Sequence, residues 1–263
     1  MRWLASTLLV AALAAHAEEG EPSPPFITTP DDVVERMLRL AGTTPADTVL
    51  DLGSGDGRIV IAAAQKFGAR GLGIELDKRL VETSRESARR AKVADRVSFV
   101  EGDVLVSDIS RASVVTVYLL PGLIGRLQPR FLEELRPGTR IVSHAFGMVG
   151  WKPDRSETMP VVRPHPGQGD ESTLYLWVVP AEARGLWRSA AWQLRVYQNY
   201  QEIEIEGSRD GKAVEFRDAR LTGEAITWRA EGKRFRGRVA GGRILGELSD
   251  GEGRQALELV RAR

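Results

Sequence analysis

Asp51-Leu52-Gly53-Ser54-Gly55-Asp56-Gly57-Arg58 closes an apolar run beginning at Val49, and two further acids follow later apolar runs, Glu75 in Gly73-Ile74-Glu75 and Asp103 in Glu101-Gly102-Asp103. A glycine-rich turn between a strand and a helix lets backbone approach a ligand at the helix N-terminus. A dinucleotide fits poorly, because Arg58 stands where the fingerprint needs Gly or Ala for close helix packing. Asp51 would repel a pyrophosphate and attract an ammonium or sulfonium. The pattern therefore points to a cationic cofactor, and S-adenosylmethionine (SAM) carries both cations. On this reading Asp51, Gly53, Ser54 and Gly55 form the cofactor turn, Glu75 accepts hydrogen bonds from both ribose hydroxyls and Asp103 faces the adenine amino group. The plain alternative is that Asp51 and Asp103 cap turns and Glu75 is a solvated strand end.

A reactive methyl group leaves the protein little covalent work. It must hold a nucleophile in line and exclude water. An amine must also lose its proton before it attacks. Tyr118-Leu119-Leu120-Pro121 ends a further apolar run. Tyr118 is either the wall of a methyl pocket or ordinary strand-end packing, and backbone carbonyls of Tyr118 and Leu119 could orient the amine. His144 is either a general base or a hydrogen-bonded histidine between sheet and loop. His165 lies in a Pro- and Gly-rich loop from Arg163 to Asp170, and His16 is the third histidine, so a histidine metal site is not expected.

These residues need a scaffold of alternating strands and helices. The spacing predicts strands at 48–52, 71–75, 96–100, 114–120 and 139–143, with helices at 57–67, 78–92 and 123–135, hence a parallel sheet covered on both faces. Thr29 is read as the cap of an earlier helix with Pro30 in its first turn and Asp31 and Asp32 complementing the dipole. Strands at 157–162 and 172–179 would form an edge hairpin. From Trp192 onward apolar residues alternate by twos (Trp192, Leu194, Val196; Ile226, Trp228; Phe235, Val239; Ile244, Leu248; Leu257, Leu259), with turn signals at Gly207-Ser208, Asp210-Gly211, Gly232, Gly241-Gly242 and Asp250-Gly251. The fold class expected is α/β, a Rossmann-like seven-stranded sheet over 31–184 followed by a small antiparallel β domain over 186–263.

The chain has 263 residues, a net charge of +1 and no cysteine, which excludes disulfides, thiolate metal sites and a thiol nucleophile. Near-neutral charge gives no case for a nucleic-acid partner. Met1-Arg2, an apolar stretch from Trp3 to Ala15 and Ala15-His16-Ala17 read as an export signal over 1–17, too short for the roughly 20 residues of a membrane span. The expectation is a periplasmic protein without stable membrane insertion, or a cytoplasmic one if the signal does not function. Residues 18–30 read as a linker and site-covering segment. Lys233, Arg234, Arg236, Arg238 and Arg243 cluster in the β domain, either as a solvated sheet face or as a surface for an acidic partner or membrane.

On Pro25-Phe26-Ile27-Thr28-Thr29-Pro30, the DLGSGDGRIVIAAA segment from Asp51, GIEL from Gly73, VTVYLLP from Val115 and PGTRIVSHAF from Pro137, the region from Pro25 to Pro180 resembles class I SAM-dependent methyltransferases. It is similar more narrowly to the ATP synthase c-subunit lysine methyltransferases and their bacterial relatives. The resemblance implies a seven-stranded methyltransferase fold, SAM at the strand carboxyl ends and methylation of an amine such as a protein lysine. Asp51, Gly53, Gly55 and Glu75 match the family's cofactor motif, Asp103 its adenine-side acid, and Thr29 and Pro30 a segment that folds over the site. Many amine methyltransferases have Asp or Asn before Pro-Pro where this chain has Tyr118-Leu119-Leu120-Pro121. Two alternatives stay open: an exported binding protein that kept the pocket without catalysis, and a small-molecule methyltransferase with the 163–170 loop as lid and the β domain closing the acceptor site.

Overall fold

The computed structural model describes residues 27–164, 169–250 and 253–262. The export signal at 1–17, most of the linker, and His165 lie outside the described residues. In chain order the first part runs α1 (Asp31–Leu40), β1 (Thr48–Leu52), α2 (Arg58–Phe67), β2 (Arg70–Glu75), α3 (Lys78–Arg90), β3 (Val97–Glu101), β4 (Val114–Val117), α4 (Pro121–Glu134), β5 (Arg140–His144), β6 (Arg155–Pro160) and β7 (Glu171–Val178). These strands form one sheet in the order β3-β2-β1-β4-β5-β7-β6. The first five are parallel, and β7 pairs antiparallel with both β5 and β6.

The apolar pattern explains the layers. β1 is buried along most of its length, and its residues point alternately to two cores. Val49, Val114, Val142 and Leu174 pack under α1 and α2, through Val33, Met37, Ile59 and Ala63. Leu50, Leu52, Val115, Val117 and Ile141 face Ile124, Leu127 and Phe131 of α4, with Trp151 and Trp177 completing that side. Strand order reverses between β1 and β4, and the carboxyl ends of these two strands flank the crevice where ligands bind in open α/β sheets.

Three local expectations change. The strand expected to reach residue 120 stops at Val117, because Pro121 takes the first turn of α4 and sets Leu120 in extended backbone as its N-cap. Thr29 does not cap α1, whose N-cap is Pro30 with no side-chain hydrogen bond, since the Thr29 hydroxyl is used elsewhere. Gly207-Ser208 is not a turn but lies inside a strand. A Cβ on Gly207 would sit 2.3 Å from the Gln193 carbonyl oxygen, so this glycine marks a close backbone approach.

That strand belongs to a second, antiparallel sheet: β8 (Gly185–Arg188), β9 (Trp192–Asn199), β10 (Glu202–Arg209), β11 (Lys212–Val214), β12 (Phe216–Thr222), β13 (Ala225–Ala230), β14 (Lys233–Ala240), β15 (Arg243–Ser249) and β16 (Arg254–Arg261). Its order is β11-β10-β9-β8-β16-β15-β14-β13-β12, and contacts between β10 and β12 roll it around one core containing Trp187, Trp192, Trp228 and Phe235. The rolled sheet docks at the sheet end opposite the crevice. Gly223, in the β12–β13 turn, lies against Gly138, which precedes β5, and against Val178 at the end of β7. Tyr200 stacks on Trp151 with ring centroids 5.1 Å apart, and Gln128 of α4 donates to the Tyr200 hydroxyl at 3.0 Å. The β domain therefore does not close the acceptor site.

Candidate active site

Asp51 is 2% exposed and accepts a hydrogen bond from Thr116 Oγ1 of β4 at 2.7 Å. Burial pushes its carboxyl up to about 7, against the Thr116 bond that pulls it down, and the negative charges of Glu75 and Asp56 push the same way as burial. A carboxyl so placed lacks a cation.

The turn after Asp51 keeps most of its amides to itself. Gly53 and Ser54 both donate to the Ile74 carbonyl, Gly57 donates to the Ser54 carbonyl, Gly55 donates to Glu75 Oε2 at 2.8 Å and Arg58 to Asp56 Oδ1. A phosphate-binding turn leaves such groups pointing at the ligand. This one offers a pyrophosphate an acid instead of an amide cradle, as Arg58 and Asp51 already suggest in the sequence.

Two glycines make the turn possible. Gly53 has φ +77° and a Cβ there would lie 2.8 Å from Leu119 Cδ2; Gly57 has φ +82° and a Cβ there would lie 2.7 Å from the Phe99 ring. Side chains at either place would be strained and crowded. The Ser54 hydroxyl turns against Gly73 and has no hydrogen-bond partner among the described residues. Glu75 Oε1 accepts from the Asp77 amide at 3.0 Å, so both its oxygens are oriented and each retains a lone pair for a hydroxyl. Asp103 is exposed. One of its oxygens accepts from the Leu105 amide at 2.8 Å, a turn-capping role that leaves the other free.

Arg58 grips Asp56 through Nε and Nη2 and donates through Nη1 to the Thr29 carbonyl at 3.0 Å. It anchors the covering segment to the cofactor turn. Thr29 is 3% exposed, and its hydroxyl lies 3.2 Å from His144 Nδ1, while His144 Nε2 lies 2.9 Å from the Ser172 hydroxyl. Burial lowers the His144 pKa to about 4. Both ring nitrogens meet hydroxyls and burial favours the neutral ring, an arrangement that matches the reading of His144 as a hydrogen-bonded histidine between sheet and loop. The Tyr118 ring rests on that of His144, with centroids 4.1 Å apart, and the Phe146 ring lies 6.3 Å from that of Tyr118. Pro121 opens α4 and contributes helix geometry rather than a reacting group. Sequence reasoning missed Thr116 and Ser172. Thr116 alone had a local signal, a polar residue inside the apolar run Val114-Val115-Thr116-Val117.

The sheet order, the buried acid and the self-satisfied turn fit SAM and define a class I SAM-dependent methyltransferase. A family model described as the ANTKMT methyltransferase domain matches residues 51–155. A protein-lysine N-methyltransferase of Saccharolobus islandicus is 38% identical over 159 residues, covering 60% of this chain and 95% of that one. The Xenopus laevis lysine N-methyltransferase of the ATP synthase c-subunit is 36% identical over 133 residues, 51% of this chain and 57% of that enzyme. A solved structure described as an RNA methyltransferase from Salinibacter ruber in complex with S-adenosyl-L-homocysteine is 49% identical, with TM-score 0.53, covering 59% of this chain and 95% of that one. Matched over 95% of the Saccharolobus enzyme, this chain belongs to the SAM-dependent methyltransferases, in the same family as that protein-lysine N-methyltransferase.

Proposed function

We propose that this protein methylates the side-chain amine of lysine in a protein acceptor. The observation that carries the reading is the charge of the cofactor edge. Asp77 and Glu101, beside the cofactor acids Glu75 and Asp103 at the ends of β2 and β3, form no ion pair among the described residues, while Asp31 and Asp56 flank Arg58. Such a rim draws in a cationic side chain and repels a phosphate backbone. The names of the lysine methyltransferases among its relatives support the same reading. The Salinibacter protein, described as an RNA methyltransferase, favours an RNA acceptor instead, which the acidic rim opposes.

SAM, when bound, supplies an electrophilic methyl group on a sulfonium. Asp51 would hold its ammonium, Glu75 its ribose hydroxyls, and Asp103 the adenine edge. Tyr118, held on His144 and beside Phe146, shapes the acceptor channel with its aromatic face. The Leu119 carbonyl, unbonded among the described residues, orients the amine. The acceptor amine must be neutral before it attacks, and apolar surroundings favour its neutral form. We further read the enzyme as exported, on the strength of residues 1–17.

A labelled-methyl assay tests this, with lysine-rich protein, RNA and free lysine as acceptors. Label in protein that acid hydrolysis returns as methyl-lysine is the expected result. Label in RNA alone would overturn it. A fusion of the first 25 residues to a periplasm-dependent reporter tests export, and a silent reporter would refute it.

A further inference from the structure

Outward positions of β12, β13 and β14 carry Arg217 and Arg220, Arg229, and Arg234, Arg236 and Arg238, all exposed. Strand register sets like charges side by side: Arg217 opposite Arg229, and Arg229 opposite Arg234. Like charges directly across strands destabilise a sheet, by the same order as favourable pairs stabilise it. The sheet relieves part of this row itself, through Glu215 on Arg217 and Asp218 on Arg229. Arg220, Arg234, Arg236 and Arg238 have no ion pair among the described residues, and Glu247, opposite Arg236, is engaged by Arg254 instead. Four guanidinium groups thus stand unneutralised on one open face of a chain whose net charge is only +1.

We propose that this face binds an anionic lipid surface. Arginine forks match phosphate oxygens two at a time. Along β14 the arginines recur at roughly 6.8 Å and across strands at roughly 4.8 Å, spacings that follow from strand geometry. A rigid partner must match both spacings, whereas lipid headgroups diffuse to the arginines. Single-stranded nucleic acid is held by aromatic platforms. The outward neighbours here are Thr222, Ala225 and Thr227, with no aromatic ring among them. Among the described residues no helix is long and apolar enough to cross a membrane, so attachment through this face is peripheral. The cofactor crevice lies at the other end of the sheet that carries the β domain, which leaves it open while the face is occupied.

Co-sedimentation of the full chain with vesicles tests the proposal. The protein should pellet with vesicles of phosphatidylglycerol mixed with phosphatidylcholine, not with phosphatidylcholine alone, and added salt should release it. Each arginine near an anionic surface contributes roughly fivefold in affinity. The combined R234Q/R236Q/R238Q variant should therefore lose on the order of a hundredfold. A control with Arg70, Arg89 and Arg111 changed to Gln should bind as the parent does, and thermal unfolding of both variants checks that each is folded. Failure of the parent to bind anionic vesicles overturns the proposal, as does an equal loss in the control. Tighter binding of poly(U) RNA than of vesicles overturns it in favour of a nucleic-acid surface.

Discussion

Thr116 Oγ1 reaches 2.7 Å across the sheet to Asp51 Oδ1, and among the described residues it is the one hydrogen-bond donor that steadies a carboxyl otherwise sealed from water beside other acids. The bond orients the acid and leaves its second oxygen for the cofactor. It also makes the site depend on pH.

Asp51 has a pKa of about 7 in the free protein, so it is half protonated near neutrality. SAM affinity should rise as pH climbs through about 7, by up to tenfold per unit below it, because only the ionised acid attracts the ammonium. Calorimetry across this range checks the slope. Thr116→Val should move the inflection to higher pH, and a flat profile in the parent would remove Asp51 from cofactor binding.

The same shift has a stability consequence of opposite sign. A carboxyl raised from 3.8 to about 7 on folding destabilises the empty protein progressively as pH rises between those values. At 1.36 kcal/mol per unit the full effect is about 4 kcal/mol. Asp51→Asn keeps an acceptor for Thr116 and removes the charge, so it should unfold at higher temperature than the parent at pH 8 and lose most SAM binding. Calorimetric melting of both proteins at pH 8 and pH 4 measures it, the difference shrinking at the lower pH.

His144 gives a contrasting expectation. Its pKa falls from 6.5 to about 4 on folding, so its contribution is present above 6.5 and is lost as pH drops toward 4. Since it acts by holding Tyr118, His144→Gln should lower kcat by less than about tenfold. Loss of a general base would cost about 100- to 10,000-fold. Steady-state kinetics separate the two.

How much of this is legible depends on distance along the chain. The cofactor turn is a local word, and Asp51, Gly53, Gly55 and Glu75 stand where their spacing puts them because strand, turn and helix follow within a few residues. Thr29 reads locally as a cap, since its true partner, His144, is 115 residues away. Ser172 reaches the same ring from β7 and has no local signal. In the β domain, Glu202-Ile203-Glu204-Ile205-Glu206 alternates plainly as a strand, yet the following Gly207 reads as a turn until the opposing Gln193 carbonyl is seen. Non-local pairing decides each of these.

Gly57→Ala should be costly for two independent reasons. The residue has φ +82°, and the new Cβ would lie 2.7 Å from the Phe99 ring and 2.9 Å from Ser84 Cβ. Together strain and crowding should cost about 2–4 kcal/mol. Phe99→Leu in the same chain makes room without changing φ, so it should recover only part of the loss in denaturant unfolding.

The docking of the two sheets offers a last test, because it separates stability from chemistry. Tyr200 joins them by stacking on Trp151 and accepting from Gln128, and it lies at the sheet end away from Asp51. Tyr200→Ala deletes the stack and leaves the buried Gln128 amide with one acceptor, the Val149 carbonyl. Unfolding should then split into two transitions, one for each sheet, with a loss of about 2–4 kcal/mol of coupling. Cofactor affinity should stay within about twofold of the parent, since among the described residues none assigned to the cofactor takes part in these contacts. A single unsplit transition would mean that Gly223 against Gly138 and Gln201 against Trp151 suffice to hold the sheets together. A lost cofactor affinity would mean that the β domain reaches the crevice through the sheet itself.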